Sequence, residues 1–182
     1  MTRAEAVAAR ERARLVATAE DVAAALDRMA AEITAELADS DPVLLAVMHG
    51  GMYAAVELSR RCAFPHEIDF VHVTRYGNAL AGGAVDWRVP PRAELKGRTV
   101  LVVDDVLDHG VTLAALSAEL ERVGVAAERR AVLVVKELAR RVARPAVDYV
   151  GVTVGDVYVF GCGMDYKGYW RNLPALYAVQ GA

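Results

Sequence analysis

The run from Val100 to Leu113, Val-Leu-Val-Val-Asp-Asp-Val-Leu-Asp-His-Gly-Val-Thr-Leu, constrains this chain most. Val100 to Val103 reads as a fully buried strand, because four apolar residues stand between polar flanks. The strand ends in adjacent carboxylates, Asp104 and Asp105. Asp108 follows three positions later, then Gly110 and Thr112. The spacing predicts a helix over Leu113–Val123. A helix start carries unpaired N–H groups and a partial positive charge, which suits a phosphate. Ionised carboxylates only accept hydrogen bonds, so those upstream suit sugar hydroxyls or a divalent cation. Phosphate, polyol and metal in one loop point to a phosphorylated sugar. The bland alternative is a strand end whose acids merely cap the next helix.

The rest of the chain alternates. An Ala-rich stretch from Thr2 to Leu37, with Val22, Leu26, Met29 and Ile33 near helical spacing, reads as one or two helices, and Ser40-Asp41-Pro42 breaks it. Strands are expected at Val43–Met48, Ile68–Thr74, Thr99–Val103, Arg130–Val135 and Tyr149–Val154, with a further helix at Tyr53–Cys62. This order implies an α/β fold, a mostly parallel sheet flanked by helices, whose ligands bind beyond the carboxyl ends of the strands. Between Tyr76 and Arg98 the pattern stops amid Gly77, Gly82, Gly83, Pro90, Pro91 and Gly97. So long a loop suggests a lid that closes over substrate, with a β-hairpin arm as the alternative.

Composition narrows the function classes. The 182 residues suit a single domain. The net charge of −3 disfavours a broad nucleic-acid surface. No uninterrupted apolar stretch reaches bilayer length, and Met1 to Glu20 lacks the apolar core of a secretory signal. Cys62 and Cys162 lack metal-ligand spacing and read as free thiols in a reducing compartment. The expectation is a cytoplasmic protein with no membrane partner and no nucleic-acid partner.

Asp104 to Thr112 resembles the phosphoribosyl pyrophosphate motif of the type I phosphoribosyltransferases: apolar residues, two acids, two apolar residues, then Asp-x-Gly-x-Thr. Three further segments fit. Met48-His-Gly-Gly51 resembles the family's pyrophosphate loop, which implies a cis Met48–His49 bond. Lys136 ends a buried strand. Val157 to Pro174 is similar to the C-terminal signature of the hypoxanthine-guanine phosphoribosyltransferases, with Tyr158, Asp165 and Arg171 in order. With Glu67-Ile-Asp-Phe70, the resemblance spans most of residues 43 to 177.

The resemblance implies a core of about 38–150 and a small hood from about 1–37 and 151–182. It implies transfer of ribose 5-phosphate from phosphoribosyl pyrophosphate to hypoxanthine or guanine, in purine salvage. Asp104 and Asp105 would hold the ribose hydroxyls, directly or through magnesium. Asp108 would take the purine's proton, and Asp108, His109, Gly110, Val111 and Thr112 would cradle the 5′-phosphate. His49, Gly50 and Arg171 would meet pyrophosphate, and Arg75 and Tyr76 would open the lid. Lys136 would read the six-position oxygen and Tyr158 would stack on the base. Val159 and Asp165 would meet its far edge, with Asp165 also a candidate magnesium ligand. The family is commonly dimeric or tetrameric, so a homodimer or homotetramer is implied.

Three departures stand out: His49 where many relatives have Lys, Arg75 where Ser is usual, and His109 where Ser or Thr is frequent. A regulator of pyrimidine genes that keeps the nucleotide fold and binds RNA shares the Asp-Asp-Val-Leu motif and is the alternative. A receiver-like signalling domain would need a phosphoacceptor Asp ending another strand, where this chain has His-Gly-Gly.

Overall fold

The computed structural model describes residues 1–75, 85–138 and 143–179; of Arg75 only the backbone is described. In chain order the elements are α1 (Arg3–Arg12), β1 (Arg14–Ala17), α2 (Ala19–Leu37), β2 (Val43–Met48), α3 (Gly51–Arg61), β3 (Glu67–Arg75), β4 (Val85–Val89), β5 (Thr99–Leu107), α4 (Val111–Val123), β6 (Ala127–Glu137), β7 (Tyr149–Gly155), β8 (Val159–Phe160) and β9 (Leu176–Ala178). Six strands form the main sheet in the order β4-β3-β2-β5-β6-β7. All its neighbours pair parallel except β3 and β4.

The central strands β2, β5 and β6 are buried on both faces, which is why they read as apolar runs rather than as alternation. On one face, α2 and α3 pack Leu26, Met29, Ile33 and Leu58 over Leu44, Ala46, Leu101, Val103 and Leu133. On the other, α4 sets Leu113, Leu116 and Leu120 over Leu45, Val100, Val102 and Val132. Thr18 and Asp21 form a reciprocal capping box that fixes the start of α2. A second, antiparallel sheet, β1-β9-β8, joins segments from the two ends of the chain.

Strand β2 lies between β3 and β5, and the chain leaves it through α3 toward β3 while β5 lies on its other side. The carboxyl ends of β2 and β5 therefore flank a topological switch point, where such sheets bind ligands.

Several expectations are corrected. The Ala-rich N-terminal stretch contains a strand, β1, because Arg14, Leu15 and Ala17 pair with β9 about 160 residues away. The segment expected as a loop holds β4, antiparallel to β3, and a 3₁₀ turn at Ala93–Leu95. A strand there agrees with the hairpin-arm alternative among the described residues. Tyr76, Gly77, Gly82 and Gly83 lie outside the described residues. β5 runs on to Leu107, so both acids sit within the strand. α4 begins at Val111, two residues earlier than expected.

Candidate functional site

Extension of β5 through the acids decides where they point, because successive strand residues face opposite ways. Asp105 continues the face of Leu101 and Val103 toward α3. Asp104 continues the face of Val100 and Val102 and is only 7 % exposed. The backbone steadies both: the Asp105 N–H donates to Asp104 Oδ1 (2.9 Å) and the Val106 N–H donates to Asp105 Oδ1 (2.8 Å). Desolvation pushes the Asp105 carboxyl above its ordinary range, against the opposing pull of a hydrogen bond with Asp104, the Val106 amide and the charge of Arg171. Two neighbouring carboxylates, one of them desolvated, fit a divalent cation. Among the described residues no three acidic, His or Cys side chains converge on one point.

Gly50 brings β2 against this pair. A Cβ there would lie 1.6 Å from Asp105 Oδ2, so only glycine admits the carboxylate. The preceding Met48–His49 bond is cis, as the resemblance implies. The His49 ring is exposed and meets the His72 ring edge-on, with centroids 4.5 Å apart. Burial lowers the His72 imidazole, helped by His49 and Arg88.

Beyond β5 the chain turns through Asp108 and His109 into Gly110, whose φ of +77° is the left-handed conformation that glycine tolerates. α4 follows at once, so Val111 and Thr112 occupy its first turn, where amides lack intrahelical acceptors. Gly50, Asp104, Asp105, Asp108, Gly110 and Thr112 line one cleft of about 160 Å³. His109 is half exposed at its rim.

Asp105 and Asp108 also border an adjoining cleft of about 260 Å³ with Lys136, Tyr158, Val159 and Asp165. The Lys136 ammonium lies 3.2 Å from Asp108 Oδ2. His109 Nδ1 stands 2.9 Å from Asp108 Oδ1, but off the line of a hydrogen bond, so this buried oxygen makes none. A buried carboxylate oxygen without a hydrogen-bond partner is costly in the folded protein. The Tyr158 ring is 44 % exposed, and its hydroxyl donates to the Asp165 carbonyl (3.0 Å).

Asp165 and Arg171 form an ion pair. Arg171 Nη1 also donates to the Gly163 carbonyl (2.6 Å), and Asp165 Oδ2 accepts the Gly168 N–H (2.6 Å). Arg171 lines a hollow with His49 and Tyr53 on the α3 side of the turn that follows β2. The structure thus gathers the sequence-derived residues at one sheet end, except Tyr76 and the Arg75 side chain, which lie outside what is described. Three contacts were not expected from sequence: the Lys136–Asp108 pair, the His49–His72 stack, and a guanidinium from Arg144 on the Asp108 and Lys136 carbonyls. No local motif announces Arg144. Only an arginine before Pro145, shortly after a site strand, could have drawn attention to it.

Residues 16–167 match the phosphoribosyl transferase domain. The chain belongs to this family of phosphoribosyltransferases. It is 31 % identical over 156 residues to the hypoxanthine-guanine phosphoribosyltransferase of Bacillus subtilis, covering 85 % of this chain and 86 % of that protein. It is 27 % identical over 163 residues to the hypoxanthine-guanine-xanthine phosphoribosyltransferase of Tritrichomonas foetus, covering 90 % of this chain and 89 % of the relative. A hypoxanthine phosphoribosyltransferase from Trypanosoma cruzi, a mutant solved as a ternary substrates complex, superposes with a TM-score of 0.85 at 26 % identity, over 94 % of this chain and 97 % of that one. No helix among the described residues is long and apolar enough to cross a membrane.

Proposed function

We propose that this chain transfers the 5-phosphoribosyl group from phosphoribosyl pyrophosphate to hypoxanthine or guanine, giving IMP or GMP and pyrophosphate in purine salvage. One observation carries the reading: Asp108 lines both a phosphate cradle and an adjoining cleft that bears an exposed tyrosine ring and a lysine whose ammonium lies 3.2 Å from the Asp108 carboxylate.

The first turn of α4 and the Asp108–Thr112 segment seat the 5′-phosphate on backbone N–H groups and the Thr112 hydroxyl, where the helix dipole favours an anion. Asp104 and Asp105 hold the ribose hydroxyls. Gly50 and the backbone at His49 receive pyrophosphate, and Arg171 reaches it by exchanging its partner Asp165 for the anion. Arg75 and Tyr76 are the candidate start of a lid; Tyr76 and the Arg75 side chain lie outside the described residues. In the second cleft Tyr158 stacks on the purine, Lys136 donates to its six-position oxygen, and Val159 and Asp165 border the far edge. As the bond at the anomeric carbon breaks and charge builds on that carbon, the Asp108 carboxylate accepts the proton leaving the base's imidazole ring. Asp104 and Asp105, with Asp165 as a further candidate, would hold magnesium, which would supply charge neutralisation for pyrophosphate. The small β1-β9-β8 sheet forms the hood over the base, and the protein works in the cytoplasm as a homodimer or homotetramer.

The acidic chain and the Tyr158–Lys136 cleft favour this reading over an RNA-binding regulator. Mixing the protein with phosphoribosyl pyrophosphate, magnesium and each base in turn tests it. IMP and GMP should form while adenine gives no nucleotide. No nucleotide from either six-oxopurine would overturn it.

A further inference from the structure

The paired ladder of β5 and β6 stops at Leu107 and Val135. The next residue on each strand is the one that does chemistry: Asp108 on one, Lys136 on the other. One guanidinium nitrogen closes the gap between them. Arg144 Nη1 donates to the Lys136 carbonyl at 2.8 Å and to the Asp108 carbonyl at 3.1 Å. Arg144 is itself held in place. A Cβ on Gly110 would lie 2.9 Å from both Arg144 Cβ and Pro145 Cδ, so the root of the Arg144 side chain and the proline ring pack against the cap of α4. The side chains of Asp108 and Lys136 then meet at 3.2 Å on the cleft side.

We infer that Arg144 is a positioning residue: it extends the sheet by one pair past its last rung and fixes the distance between the proton acceptor and the lysine that reads the base. Arginine is suited to this task because its planar fork presents several donors and stays charged at any working pH. A loosened pair would drift apart, since each carbonyl would otherwise turn toward water. The base would then be held against a lysine and a carboxylate whose spacing no longer matches it, whereas the phosphate cradle, built on the amides of α4, would stay. This role rests on the assignment of Asp108 and Lys136 proposed above.

Arg144→Met keeps the Cβ packed on Gly110 and removes only the guanidinium. It should raise KM for hypoxanthine about tenfold, the size of one lost charged hydrogen bond. KM for phosphoribosyl pyrophosphate should stay within about twofold of wild type. Arg144→Gln retains an amide donor and should show the same split at about threefold; it also carries the test if the Met variant does not fold. In a Lys136→Met background, Arg144→Met should add less than about twofold to the loss of selection between hypoxanthine and adenine, because it acts through that lysine. A wild-type chain that makes no nucleotide would sink the assignment of the two site residues. An active wild type overturns the positioning role if Arg144→Met leaves base KM unchanged, if it raises both KM values together, or if its loss multiplies with that of Lys136→Met.

Discussion

Gly50→Ala isolates how much the site depends on one missing methyl group. Gly50 has φ −64° and ψ −45°, an ordinary right-handed helical conformation, so alanine fits the backbone without strain. On backbone grounds alone the change should even stabilise slightly, by restricting the unfolded chain. The obstacle is spatial. The new Cβ would stand 1.6 Å from Asp105 Oδ2 and 2.2 Å from its Cγ. To reach ordinary contact the carboxylate must retreat by about 2 Å, and a displacement of ~1 Å can already cost ~10²-fold in rate. kcat/KM for phosphoribosyl pyrophosphate should therefore fall by at least ~10²-fold. Overpacking of ~1–3 kcal/mol lowers Tm by roughly 2–4 °C per kcal/mol for a chain of this size, so the variant should remain folded at assay temperature. Pyrophosphate release at saturating hypoxanthine, with the donor varied, reads the first quantity, and a thermal melt reads the second. A folded Gly50→Ala protein within about threefold of wild-type efficiency would refute the claim that Asp105 must occupy that spot.

Other consequences can be checked separately. Lys136→Met should cut the preference for hypoxanthine over adenine about tenfold or more, since only the six-oxo base gains from the ammonium; steady-state rates with both bases decide it. Glu36 accepts hydrogen bonds from the Tyr149 hydroxyl and from Arg129, which hold its carboxyl below the ordinary range. A depressed carboxyl stabilises the fold above its unfolded value and loses that contribution as pH falls through the folded one. Glu36→Gln should therefore melt below wild type at pH 7, and the gap should close as pH drops below about 4. Cys162 is buried, and desolvation pushes its thiol up to about 12; Cys62 is also buried and raised. Iodoacetamide at pH 8 should leave the native protein unmodified and label both thiols after unfolding in urea.

The sequence shows some layers of this structure more plainly than others. β2 and β5 were readable because a strand buried on both faces must be apolar throughout, and their ends carried the glycine pair and the acids. β1 was hidden because its partner β9 lies near the other end of the chain, and nothing local in Arg14–Ala17 demands a strand. β4 was obscured by prolines and glycines on either side, although Val-Asp-Trp-Arg-Val alternates as a half-buried strand should. The early start of α4 follows from Gly110, whose left-handed turn lets helical geometry begin at Val111. In the site, the acids could be found from their type and their spacing after an apolar run. The pairing of Lys136 with Asp108, and the Arg144 clamp behind them, depend on which strands lie side by side and where their ladder stops. Those are properties of the folded sheet, and residues about 28 positions apart give no local sign of them.

Asp108→Asn, assayed for both binding and turnover, tests the central claim most directly. Asparagine keeps the shape and the backbone cradle but cannot take up the proton. Calorimetric titration with phosphoribosyl pyrophosphate and magnesium should show donor affinity within about threefold of wild type, while nucleotide formation from hypoxanthine should slow by ~10²-fold or more. Undiminished turnover in a variant that still binds donor would contradict the assignment of Asp108 as the proton acceptor.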